Sequence, residues 1–170
     1  MKLSGVSGIE VTVWRFGIGG LALLLLSLIN PKSRNLISPL KINKNFYYHL
    51  VKVLKQRKVS IFQLRLKKES FSKKLVIGKK IQKICKRFNV KFLINDDVYL
   101  TKKLNADGCH LGQKDMNIIK ARKLIGNKII GVTCHNSVKL SKIAVKNKAD
   151  YIALGAFNNS KTKKIKFKAS

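Results

Sequence analysis

Acidic side chains are scarce in this chain. Seven Asp and Glu stand against 37 Lys and Arg in 170 residues, a formal charge of +30 at pH 7. Such an excess invites a nucleic-acid reading, because cations that neutralise phosphates release counterions. Arginine is scarce too, however, at six of the 37. Arginine is the usual side chain for bidentate reading of bases and phosphates, and the lysines here are spread along the chain and not gathered into one arm. No nucleic-acid partner is expected. Cysteine is limited to Cys85, Cys109 and Cys134 with no CxxC spacing, which excludes a disulfide framework and a structural zinc site and suits reduced thiols in a cytosolic protein. Long apolar runs are missing as well. Phe16–Ile29 is free of charge over only 14 residues, short of the roughly 20 a spanning helix needs. Its length suits a signal-peptide core, but Ser27-Leu28-Ile29-Asn30 lacks a small-x-small cleavage pattern. Lys32, Arg34, Lys41 and Lys44 crowd just after it, so any anchor would leave the remainder in the cytoplasm. Residues 1–34 are read as an apolar extension, either a tether or a stretch upstream of the true start, with membrane association through 16–29 not favoured.

What is present is a globular composition, 45% hydrophobic, in a chain long enough for one domain and short for two. From Asn35 onward, β-type runs alternate with amphipathic stretches. The runs are Asn35–Ile42, Val59–Leu66, Lys91–Asn95, Gly108–Gly112, Lys128–Cys134 and Tyr151–Phe157. Helical spacing of apolar residues marks Phe46–Leu54, Phe71–Phe88, Asp97–Leu104, Ile118–Ile125 and Val138–Ala149, with Ser70, Asn117 and Ser137 as expected N-caps. This alternation predicts an α/β fold with a parallel sheet of right-handed crossovers. A (β/α)8 barrel and a doubly wound sheet both fit. The first run, NLISPLKI, contains no glycine, which disfavours a dinucleotide-binding variant.

Polar residues recur at the carboxyl ends of the predicted strands, where barrels place their chemistry. Gln63, Arg65 and Lys67 alternate along the second strand; Asn95, Asp96 and Asp97 end the third; His110 and Asp115 follow the fourth; Thr133 and His135 end the fifth; Ser160, Thr162 and Lys163 follow the sixth. Three of only seven acids thus fall just past strand ends. Two carboxylates without clustered His or Cys suit Mg²⁺, which takes one or two carboxylates and completes its shell with substrate phosphate oxygens. Arg65, Lys67, Lys163 and the hydroxyls of Ser160 and Thr162 suit a diphosphate. His110 and His135 fit structural and catalytic roles equally.

The strings QLRLK (Gln63–Lys67), FLINDD (Phe92–Asp97), ADGCHLGQKDM (Ala106–Met116), IGVTCHN (Ile130–Asn136) and ADYIALGAF with SKTK (Ala149–Lys163) together resemble the thiamine phosphate synthases and their relatives, the thiazole tautomerases. The resemblance covers Asn35 to Ser170, read as the domain. It implies a (β/α)8 barrel with about six of the eight βα units in this chain, ending at Ser170. It implies a transferase that joins hydroxymethylpyrimidine diphosphate to thiazole phosphate and releases diphosphate, with Mg²⁺ as cofactor. Carried over by position, Asp96 and Asp115 would hold the metal. Gln63, Arg65, Lys67, Asn95 and Lys163 would bind the pyrimidine diphosphate, while Ser160 and Thr162 would meet the thiazole phosphate. Arg65, Thr133 and Lys163 would act in catalysis. Thr133 stands where the family usually has Ser, keeping the hydroxyl. Asn158 and Asn159 replace an aromatic and a proline in the loop after the sixth strand. The alternatives are a tautomerase-like isomerase using a base such as His135, and an inactive, shortened relative.

Overall fold

A computed structural model describes residues 13–17 (as backbone), 42, 44–67 and 69–154. Six strands and five helices alternate along it: β1 (Val13–Gly17), α1 (Lys44–Leu54), β2 (Ile61–Arg65), α2 (Phe71–Arg87), β3 (Lys91–Asn95), α3 (Val98–Leu104), β4 (Gly108–Leu111), α4 (Ile118–Ile125), β5 (Ile129–His135), α5 (Val138–Lys146) and β6 (Tyr151–Leu154). All neighbouring strands pair in parallel, and their order in the sheet is their order in the sequence. A doubly wound sheet must reverse its strand order at a switch point. This one never does, so the winding is that of a (β/α) barrel wall.

The helices begin where side chains can satisfy their first N–H groups. Ser70 accepts from the Lys73 N–H, Asn117 from Lys120 and Ser137 from Leu140, as expected, and Asp97 does the same for Leu100. Left-handed residues stop them: Asn105 closes α3 at φ 49°, and Lys148 (φ 60°) follows α5, which therefore ends at Lys146 and not at Ala149.

Register divides the sheet into two faces. Phe62, Leu64, Phe92 and Ile94 lie on one face with Cys109, Leu111, Ile130 and Val132. These residues form the core against the helices, in two clusters. The first packs β2 and β3 on α1, α2 and α3; the second packs β4 and β5 on α4 and α5. The other face carries Gln63, Arg65, Asn95, His110, Thr133 and Tyr151. Alternation along each strand thus separates the packing residues from the polar ones, and parallel pairing brings the polar ones to a common end.

The first strand expected from the sequence, Asn35–Ile42, lies outside the described residues apart from Ile42. The strand paired with β2 is Val13–Gly17, with Val13 opposite Ile61 and Gly17 opposite Arg65. It belongs to the stretch read as an extension. Val13, Trp14 and Phe16 are β-branched or aromatic and so favour a strand, whereas the charge-free run that drew attention starts only at Phe16. Residues 18–29 of that run lie outside the described residues. No helix among the described residues is long and apolar enough to cross a membrane.

Candidate active site

Gln63 and Asn95 anchor the site between β2 and β3. Both are buried. Gln63 Nε2 donates to Asn95 Oδ1 at 2.6 Å, and Arg65 Nη1 reaches the same oxygen at 3.3 Å. Gln63 Oε1 has no partner among the described residues. A buried amide acceptor left unpaired costs about 1–3 kcal/mol, so its presence here calls for a ligand or water to meet it.

β3 then ends in a turn that aims two carboxylates differently. Asp96 adopts a left-handed backbone, φ 67°, and its N–H donates to the His110 carbonyl at 2.8 Å. Asp97 caps α3 and stands 3.8 Å from the Lys74 ammonium. Asp115 is fixed from the neighbouring unit, where its Oδ2 accepts the Gly112 N–H at 2.6 Å. Asp96 and Asp115 come within hydrogen-bonding reach of each other. Burial first, then the hydrogen bond and the negative charge of Asp115, raise the Asp96 carboxyl above its ordinary value, while Arg65 and Lys67 pull it back down. A cavity of about 430 Å³ opens here, lined by Arg65, Lys67, Lys74, Asn95, Asp96 and Asp97 among others.

Across β4 and β5 the polar row continues. His110, buried, sits with Nε2 2.8 Å from Thr133 Oγ1 and Nδ1 2.9 Å from the Tyr151 hydroxyl. Gln113 donates its side-chain amide to the Thr133 carbonyl. His135 ends β5 at a bulge in a left-handed conformation, φ 53°.

The described structure therefore gathers Gln63, Arg65, Lys67, Asn95, Asp96 and Asp115 into one site and places Thr133 on the same face of the sheet, farther along. Ser160, Thr162 and Lys163 lie outside the described residues. Two contributors escaped the sequence reading. Lys74 is one lysine among many, and nothing in its spacing marks it. Tyr151 reads as an ordinary strand residue until register sets it beside His110.

The donor chemistry fits a hard divalent cation. Asp96 and Asp115 are paired oxygen donors, the one or two carboxylates that Mg²⁺ takes before phosphate oxygens and water complete its shell.

Residues 35–169 match the family model described as thiamine monophosphate synthase. The chain belongs to the thiamine monophosphate synthase family. It is 64% identical over 143 residues to the thiamine-phosphate synthase of Pelagibacter ubique, covering 84% of this chain and 69% of that one. The thiamine-phosphate synthase of Marinobacter nauticus is 43% identical over 104 residues, 61% of this chain and 47% of its own length. Among solved structures, thiamine phosphate pyrophosphorylase from Pyrococcus furiosus superposes with a TM-score of 0.61 at 26% identity, over 66% of this chain and 55% of that one. The chain thus spans between about half and two thirds of the length of these thiamine monophosphate synthase relatives. β1 lies upstream of the family match.

Proposed function

We propose that this chain carries the pyrimidine-diphosphate side of a thiamine phosphate synthase reaction in the cytoplasm, joining hydroxymethylpyrimidine diphosphate to thiazole phosphate. The observation that carries the reading is Asp96, which lines a cavity together with Arg65 and Lys67 and whose carboxyl is paired with that of Asp115. A tautomerase would have no use for paired carboxyls beside a cluster of cations.

In this reading the bond between the pyrimidine methylene carbon and the diphosphate oxygen breaks, and its electron pair leaves with the diphosphate. The thiazole nitrogen then gives its lone pair to the methylene carbon. The dominant requirement is stabilisation of charge on the leaving group. Arg65 and Lys67, with Lys163, bind the diphosphate oxygens. Thr133 donates its hydroxyl, and Ser160 and Thr162 hold the thiazole phosphate. Gln63, held in place by Asn95, turns to the amino group of the pyrimidine its Oε1, which has no partner among the described residues. Asp96 and Asp115 would hold Mg²⁺, which when bound supplies further positive charge to the leaving diphosphate.

Titration calorimetry of the chain with the pyrimidine diphosphate tests this reading. Binding should require Mg²⁺ and should be lost in Asp96→Asn. Binding that is indifferent to Mg²⁺ and to Asp96→Asn would overturn it.

A further inference from the structure

Lys74 differs in its setting from the lysines around it. Every other described lysine is exposed except Lys128, whose Nζ donates to the Ala106 carbonyl at 2.7 Å. Lys74 is half-buried, the fourth residue of α2, and lines the cavity shared by Arg65, Lys67 and Asp96. Covering a lysine costs rotamer freedom and part of the hydration of its ammonium. Lys128 recovers that cost in a hydrogen bond. Lys74 makes none from Nζ among the described residues.

Its ion-pair partner is Asp97, with Nζ 3.8 Å from Oδ2. That is attraction without a hydrogen bond, since N–H···O bonds close at about 2.7–3.2 Å. A purely structural tie between α2 and α3 would be a weak one, because pairs this open to solvent contribute little. Asp97 does not depend on it either: Oδ1 accepts the Leu100 N–H at 2.9 Å and caps α3. The carboxylate is thus held by its own helix, while the lysine hangs on a flexible stem with three donors to offer an anion entering the cavity.

We infer that Lys74 is a binding residue for the diphosphate, exchanging Asp97 for a phosphate oxygen when the ligand enters. The inference rests on the proposed synthase reading and adds, to the strand-end cations Arg65 and Lys67, one supplied by the helix layer. Asp97 is a positioning residue: it keeps the ammonium at the cavity before the anion arrives and competes with the anion for it afterwards.

Calorimetry of the full chain with inorganic diphosphate and Mg²⁺ tests this without turnover. Lys74→Met should weaken binding about tenfold, the lower end of what a hydrogen bond to a charged group supplies. Lys74→Arg keeps the charge and should stay within about threefold of native. Lys80→Met removes the same charge from an exposed position of α2 and should change affinity by less than about twofold, as a screened surface charge does. Native affinity in Lys74→Met, or equal losses in Lys74→Met and Lys80→Met, would overturn the inference. Asp97→Asn keeps a capping oxygen and should tighten binding about threefold, the scale of one exposed ion pair. That gain should vanish in the Lys74→Met background; the same gain in both backgrounds would show that Asp97 does not act through Lys74. A native chain that binds no diphosphate would overturn this inference and the synthase reading together. Lys74-dependent binding in a chain that makes no thiamine phosphate would overturn the synthase reading alone.

Discussion

Gln63 and Asn95, on adjacent strands, share a 2.6 Å hydrogen bond that uses one N–H of Gln63 and leaves its buried Oε1 without a partner among the described residues. A structural amide would be satisfied at both ends. Among the described residues this one is satisfied at the end that fixes its orientation and open at the other, the pattern of a binding group held ready.

Gln63→Met follows from that asymmetry. The change removes a bond worth about 1 kcal/mol and also removes an unpaired buried acceptor costing a similar amount. The melting temperature should therefore move by no more than about 4 °C, while affinity for the pyrimidine diphosphate falls more than tenfold in calorimetry. A large loss of stability with affinity intact would show that Gln63 serves packing alone.

Asp115→Asn separates metal affinity from stability. Raising the Asp96 carboxyl means that the folded chain holds its proton more tightly than the unfolded chain. Stability from that group is present below the ordinary Asp value of 3.8 and is lost as pH rises through the raised value. At neutral pH the pair therefore opposes folding unless a cation lies between its members. In chelator, Asp115→Asn should melt no lower than the native chain, since the Asn amide oxygen can still accept from Gly112. Addition of Mg²⁺ should raise the melting temperature of the native chain and leave the variant unmoved.

Asp107 and Asp150 perform the same task in two units of the fold. Asp107 Oδ2 accepts the Phe92 N–H and Asp150 Oδ2 the Ile130 N–H, each at 2.8 Å, while their own N–H groups return to the Phe92 and Ile130 carbonyls. Asp150 also pairs with Arg122 at 2.8 Å. Asp150→Ala should cost about 1–3 kcal/mol in denaturant unfolding, because a strand N–H loses its acceptor. Affinity for the pyrimidine diphosphate should stay within about twofold of native, as Asp150 lies at the opposite end of the strands from Asp96.

The three thiols are buried. Burial pushes Cys85 and Cys109 from 9.0 to about 12, and Cys134 up as well. A thiol reagent at pH 8 should label none of them until the chain unfolds. Their contribution to stability is complete below pH 9 and declines from there towards pH 12, because only the unfolded chain releases those protons in that window. Unfolding free energies measured between pH 8 and 11 check the sign.

The sequence was most legible where one residue's neighbours along the chain determine its setting. Lys91–Asn95 and Ile118–Ile125 stand in the structure as the periodicity drew them, and Ser70, Asn117 and Ser137 cap their helices by local geometry. Asp96 and Asp115 stood out because acids are so few and both follow strand ends. What could not be read depends on register between strands. Asp107 and Asp150 each follow an alanine in an unremarkable loop, and only the partner strand shows them as anchors. Tyr151 becomes a neighbour of His110 through Gly131 lying opposite it. Val13–Gly17 was hidden by the longer apolar run that begins within it.

The central claim is that the strand-end cluster of Gln63, Arg65, Lys67, Asn95, Asp96 and Asp115 handles a pyrimidine diphosphate during transfer to a thiazole. The most direct measurement incubates the chain with hydroxymethylpyrimidine diphosphate, thiazole phosphate and Mg²⁺ and follows thiamine phosphate and diphosphate together. The account predicts both products in equal amounts, with formation abolished by Arg65→Ala and by Asp96→Asn. Diphosphate or thiamine phosphate formed at the native rate by those variants would contradict it, and so would no product from the native chain.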